Sequence, residues 1–422
     1  MRTKERTNKK KRNSKKRSIV RKTEASLDEV LVAAERAMAA LDNEKAIEMY
    51  SKAASLLRMG RSSSSDTRER QLIRVLEKMG ESKVAVCDQM GAKQDFLEAL
   101  KLLEQEETKN ITYHETRSSL FFYLGQLCME KEALQAYQQG LESLESCFYM
   151  AQQSNSDQRL VHEIGQKLSR AYCNVAELYL TDLCYEENAE NECELYLERA
   201  LQIEDNDGEP LIDSLQTMAS LRLSQQSRRH EGVDYILRAF DKMKVGCKAL
   251  ASLVGVIDHD ENSISTGDEA VELQEVDAAN NLPGFEFRCQ SAKLLLECAA
   301  LLQGNDGYLN DQNSKAQQCV IAAIAVLGSL LSQNDEVIEV WYLTGCAFAS
   351  KRPLVSESAI FYLQRAMEML KAVRKALENE ARFIDEVEND GIAEELEENQ
   401  IQIDDVQAKL DEVQGSTTDM VE

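Results

Sequence analysis

An all-α fold, a right-handed superhelical solenoid of about seven helix pairs closed by a C-terminal capping helix, is what the sequence predicts on three observations. Only three prolines and 18 glycines occur in 422 residues, so little interrupts long helices and little marks tight hairpins. No run of alternating apolar and polar residues announces a strand. A small–aromatic–small spacing recurs along the chain at roughly 34-residue intervals, the signature of stacked supersecondary units.

The copies can be followed in order. In the first, Ala34 precedes Ala46, Tyr50 and Ala53; in the second, Gly80 stands at the same distance before Ala92, Phe96 and Ala99. The third has Leu124 and Gly125, then Ala133, Tyr137 and Gly140. The fourth opens on Tyr172, Ala176 and Tyr179 and closes on Cys193, Leu197 and Ala200, with a lengthened turn between. The fifth uses Met218, Ala219, Gly232, Ile236 and Ala239, a weaker sixth spans about 286–331, and the seventh has Trp341, Gly345, Phe348, Ala359, Leu363 and Ala366. A small residue on a first helix facing two small residues and a ring on the second lets antiparallel helices approach while the ring fills the gap. This is the tetratricopeptide pattern.

The repeats are expected to occupy residues 25–375, with polar stretches 61–69 and 256–284 read as surface-loop insertions. Residues 376–422 hold sixteen acids against Arg382 and Lys409 and read as a helical cap followed by a solvated acidic helix or tail. At the other end, residues 1–22 carry twelve Lys or Arg against one acid, leaving a net charge of −36 for the rest of a chain whose total is −25. Segment 1–24 is expected to be a disordered basic tail. Its clusters Lys9, Lys10, Lys11, Arg12 and Lys15, Lys16, Arg17 lack interleaved aromatics for stacking on bases, and suit a nuclear import signal read by an import receptor.

Composition excludes several classes. Eleven cysteines are scattered singly with no CxxC, and no secretory leader precedes them, so they read as small core residues in a reducing compartment, cytoplasm and nucleus. The apolar run Cys319–Leu331 is shorter than a bilayer span and argues against a membrane partner. A polyanionic body repels nucleic acid. Four separated histidines and the absence of a phosphate-binding glycine loop argue for no metal, no cofactor, no small-molecule substrate and no enzymatic activity.

Binding through the concave face lined by first helices is what such a scaffold offers. The repeat register turns Asp28, Leu31, Glu35 and Met38 inward, then Glu77, Glu81 and Val84, then Phe122, Gln126, Met129 and Glu130. Cys173, Glu177, Leu180, Asp213, Gln216, Glu339 and Tyr342 follow. Acids and apolar groups here suit an extended basic segment. They would repel the terminal carboxylate that chaperone-clamping tetratricopeptide domains hold with lysines and arginines. Glu35, Glu77, Glu81, Glu130, Glu177 and Glu339 are the expected contacts to Lys and Arg, with Phe122 and Tyr342 as apolar anchors.

Beyond the repeat, "AELYLTDLCYEENAENECE" (176–194), "SLQTMASLRLSQQ" (214–226), "LPGFEFRCQSAKLLLE" (282–297) and "NDEVIEVWYLTGCAF" (334–348) resemble the tetratricopeptide assembly chaperones dedicated to the fourth ribosomal protein of the large subunit. The resemblance covers about residues 27–370. It implies a superhelix that captures the new ribosomal protein, shields its long basic internal loop and accompanies it to the nucleus for large-subunit assembly. The alternative left open by the residues is an adaptor in a nuclear RNA-processing or signalling complex.

Overall fold

In the computed structural model, the described residues are 26–59, 65–154, 157–204, 208–257, 276–305, 314–381 and 389–418. Among them, fifteen helices of thirteen or more residues follow one another along the chain. The chain divides into two compact units, Met1–Glu190 and Asn191–Glu422. Among the described residues the only β-type pairing is the isolated bridge between Glu204 and Pro210.

The first unit contains α1 (Leu27–Ala39), α2 (Asn43–Met59), α3 (Ser65–Ala85), α4 (Gln89–Leu103), α5 (Ile111–Leu127), α6 (Glu130–Gln153) and α7 (Gln158–Leu180). Each packs on the next in sequence, which makes the pairs antiparallel neighbours. α1 starts on a capping box: the Ser26 hydroxyl accepts from the Glu29 amide while the Glu29 carboxylate accepts from the Ser26 amide. Asp88, Asn110 and Asp157 cap α4, α5 and α7 in the same sense, each accepting a backbone N–H. The small–ring spacing is realised in the packing. A Cβ on Gly80 would collide with the Phe96 ring, and one on Gly125 would stand 2.9 Å from the Tyr137 ring. Ala34, Ala46, Ala53, Ala92, Phe96 and Ala99 are buried together in this unit's core.

The second unit contains all but the first two residues of α8 (Ala189–Leu201), then α9 (Ile212–Ser224), α10 (Arg229–Leu253), α11 (Phe285–Asn305), α12 (Lys315–Gln333), α13 (Ile338–Ser350), α14 (Ser356–Glu380) and α15 (Asn389–Thr418). The seventh pair repeats the close approach seen in the first unit, with a Cβ on Gly345 falling 2.6 Å from Leu363. α12, which carries the longest apolar run, is the centre of this unit. It packs against α10, α11 and α13 and is buried on nearly every face, so its hydrophobicity is that of a core helix.

Two expectations about insertions are corrected. Helix α3 starts at Ser65, so the second half of the 61–69 stretch is helical. Val256 is buried, residues 276–280 form a helical turn, and a Cβ on Gly246 would lie 2.5 Å from the Ala278 carbonyl oxygen. The ends of the 256–284 stretch therefore pack on α10, because small residues at 246, 278 and 279 let the backbones meet; 258–275 lie outside the described residues.

α15 corrects the reading of a solvated acidic helix. It packs on α14 and touches α13, burying Ile392, Asn399, Val406, Leu410 and Val413, with Ile403 half-buried between them. From 399 onward these positions alternate by four and three residues, a coiled-coil seam. The buried Asn399 amide donates to the Leu370 carbonyl at 3.2 Å, which fixes the register of α15 on α14. The acids occupy the exposed remainder of the helix.

Candidate functional site

In the first unit, side-chain bridges join successive first helices. Glu81 on α3 accepts a hydrogen bond from the Tyr123 hydroxyl on α5 at 2.7 Å and both oxygens meet the Lys78 ammonium at 2.8 Å. Tyr123 in turn stacks on Phe96, with ring centroids 4.9 Å apart. Burial, the Glu81 hydrogen bond and the charge of Glu77 together push the Tyr123 phenol well above its usual range. Burial also raises the Tyr50 phenol, and the fields of Glu35 and Glu81 add to it.

Glu77 sits one helical turn before Glu81 and is half-buried. Burial is the main reason that its carboxyl is held above the ordinary value of 4.5, followed by the charge of Glu81 and, more weakly, of Glu115; Lys78 and Arg74 pull the other way. Among the described residues no hydrogen bond or ion pair reaches the Glu77 carboxylate. A half-buried acid flanked by further acids gains most from an incoming cation, because that cation relieves both the desolvation and the mutual repulsion.

Beside this cluster a cleft of 280 Å³ opens between α5 and α7, with Phe122, Tyr123, Gln126 and Asn174 on its walls and Glu115, Lys167 and Arg170 at its margin. Glu115 is ion-paired with Lys167. Phe122 leans on the bare backbone of Gly140, where a Cβ would stand 2.5 Å from the ring, and lies 6.2 Å from Tyr137. Glu177 is exposed on α7 and its field adds to burial in raising the Tyr137 phenol. Glu77 and Glu81 thus share one face of α3, the exposed Glu35 adds its field to that of Glu81 at Tyr50, and Phe122 lines the neighbouring cleft. Met129 is the N-cap of α6 and Glu130 its first residue, with φ 48°, and neither lines that cleft. Cys173 is buried inside the core.

In the second unit the predicted residues are already engaged. Glu339 is ion-paired with Lys293 at 2.7 Å. Tyr342 lies beside α15 in a cavity of 380 Å³ shared with Ile338, Leu370, Gln402, Asp405 and Val406. Its phenol is pushed up to about 12 by burial first, then by Cys346 and the acids Asp405 and Glu412. Gln216 is buried and accepts from the Ser291 hydroxyl at 2.7 Å, so it faces another helix and not a groove. A charge network around the buried Arg222 holds α8 to α9 and α10. Arg222, 3% exposed, donates to Glu194 at 2.6 Å and lies 3.2 Å from Glu231, and Arg228 donates to both acids.

Tyr123, Glu115 and Lys78 were not singled out from the sequence. The signal available was Tyr123 directly before the Leu124-Gly125 pair, but its partner lies 42 residues away. Among the described residues no cluster of His, Cys, Asp and Glu could hold a metal ion. The structure forms no disulfide among the eleven cysteines, and burial pushes the Cys147 and Cys319 thiols up to about 11 and about 12, which makes them poor nucleophiles.

No established family profile matches the chain. A protein of Schizosaccharomyces pombe described as a probable assembly chaperone of rpl4 is 28% identical over 273 residues, which is 64% of this chain and 62% of that relative. The chain thus matches less than two thirds of the relative's length. Among solved structures, residues 1–338 of an assembly chaperone of RpL4 (Acl4) match with TM-score 0.51 and 20% identity, covering 76% of this chain and 95% of that one. This likeness shows a shared helical-repeat fold. The nuclear import adaptor Nro1 matches with TM-score 0.40 and 14% identity over 80% of this chain and 95% of its own. The resemblance read from the four sequence stretches is the one that these comparisons return.

Proposed function

We propose that this chain is a non-enzymatic assembly chaperone that binds a newly made basic ribosomal protein, the fourth of the large subunit, and shields its extended basic loop until it is incorporated. The observation that carries this reading is the similarity over 273 residues to a relative described as such a chaperone. The acid cluster supplies a physical means. Lys and Arg of the client pair with Glu77 and the neighbouring Glu35 and Glu81, while its aliphatic stems pack beside Phe122. Glu177, Glu130, Glu339 and Tyr342 extend the candidate contact set. A polyanionic body of net charge −36 masks the client's charge and keeps it from stray RNA, and ribosomal RNA, the stronger polyanion, displaces the chaperone at assembly.

Residues 9–17 lie outside the described residues; in this proposal they are the address that takes the complex from cytoplasm to nucleus through an import receptor. The test is affinity capture with the tagged full chain at moderate salt, followed by mass spectrometry. The fourth large-subunit ribosomal protein is expected as the main stoichiometric partner. Recovery of no ribosomal protein would refute the reading.

A further inference from the structure

The turn edge of the first unit carries a feature that the acid cluster does not use. Because α1 to α7 alternate in direction, the turns inside each pair, α1–α2, α3–α4, α5–α6 and the segment following α7, all lie along one edge of this unit. Each presents a large apolar side chain to solvent: Leu41 at 83% exposure, Met90 at 70%, Met129 at 79% and Tyr185 at 97%. Single exposed apolar residues are ordinary, but one in each of four successive equivalent turns forms a row. The described turns inside the pairs of the second unit show no such row. There Gln225 is buried, Gln226 is polar, and Leu354 and Val355 are only half exposed.

Three of these turns share a backbone form as well. Leu41, Cys87 and Glu130 have φ of 58°, 63° and 48°, a left-handed conformation that non-glycine residues seldom adopt. It reverses the chain within a few residues in all three turns. Ion pairs tie neighbouring turns together: Lys93 at the start of α4 meets Glu132 at 3.6 Å, and Lys131 meets Glu186 at 2.8 Å. The turn residues 40–44, 86–90, 128–132 and 181–188 carry eight acids against Lys131 alone.

We infer that this edge is a second docking strip, and that its occupant is an extended segment of the same basic client, with aliphatic or aromatic residues set among Lys and Arg. The inference rests on the reading under Proposed function and adds a contact outside the acid cluster. Charge complementarity selects a basic segment, and the exposed row selects apolar anchors within it. Neighbouring helices pack about 8–10 Å apart, so equivalent turns stand on the order of 10–20 Å apart. About three to six residues of extended chain cover each interval.

The experiment measures the affinity of the purified full chain for the full-length fourth large-subunit ribosomal protein. Wild type is compared with the triple variant Leu41→Ser/Met129→Ser/Tyr185→Ser, whose altered side chains are exposed and whose helicity by circular dichroism is expected to be unchanged. The triple variant is expected to bind at least tenfold more weakly, and a benzoylphenylalanine placed at position 185 is expected to cross-link to the client. Wild-type affinity of the triple variant together with no cross-link overturns the docking strip and leaves the acid-cluster reading standing. Absence of any binding by wild type overturns both.

Discussion

The two units use the same helix-pair plan and treat Glu77 and Glu339, two acids expected to face a groove, in opposite ways. In the first, no hydrogen bond or ion pair among the described residues reaches the half-buried Glu77, although Glu81 one turn on is held by Lys78 and the Tyr123 hydroxyl. In the second, Glu339 is neutralised by Lys293, Tyr342 is covered from the α15 side, and Glu194 and Glu231 are held by two arginines. The contrast teaches that repeat register says which face a side chain lies on. It does not say whether that side chain has been left free for a ligand.

The contrast can be broken most severely at Arg222. Replacing it by Ala removes the one buried member of the network, leaving both partly exposed acids on Arg228 alone, and is expected to destabilise the second unit by about 2–4 kcal/mol through lost charge-assisted hydrogen bonds and vacated core volume. Chemical denaturation followed by circular dichroism checks this, and a loss below 1 kcal/mol would mean that the network is incidental. Of comparable size is Leu410→Ala. It opens a cavity in the seam between α14 and α15 and is expected to destabilise by about 2–4 kcal/mol. The same opening is expected to bring the Tyr342 phenol down from about 12 toward its usual 10, read as the tyrosinate absorbance that disappears when Tyr342→Phe is added to each background.

A pH series sharpens the comparison with smaller effects of opposite sign. Arg222 first, with Arg228, holds the Glu194 carboxyl down to about 2 against an ordinary 4.5. Its stabilising contribution is therefore present above 4.5 and fades as pH falls from 4.5 toward 2. Glu194→Gln is expected to be less stable than wild type at neutral pH, with the gap closing in that window. Glu77 is raised, so its ionisation opposes folding, and that penalty develops as pH rises from 4.5. Glu77→Gln is expected to be slightly more stable than wild type at pH 7, by under about 1 kcal/mol, and equal to it in acid. A Glu77→Gln variant less stable than wild type at neutral pH would show that the carboxylate already has a stabilising partner.

Most of the fold could be read from the chain because the repeat residues are local. Ala46, Tyr50 and Ala53 lie within two turns of one helix, and the ring-on-glycine contacts of Phe96 and Tyr137 follow from spacing alone. α15 was misread because its seam residues Asn399, Ile403, Val406, Leu410 and Val413 are diluted by acids, and one of the five is polar. The pairings that decide which acids stay free were not legible. Lys293 with Glu339 and Tyr123 with Glu81 each join different helix pairs, and no local pattern announces them. The repeat register assigned Glu77 and Glu339 alike to the expected inward face, whereas the distinction between them came only from the packing.

That distinction is the central claim, and one binding measurement tests it most directly. The fourth large-subunit ribosomal protein is titrated against wild type, Glu77→Gln and Glu339→Gln at equal protein stability and ionic strength. The expected result is a loss of about tenfold, or about 1.4 kcal/mol, for Glu77→Gln and less than about twofold for Glu339→Gln. Equal losses for both, or no loss for Glu77→Gln, would contradict it.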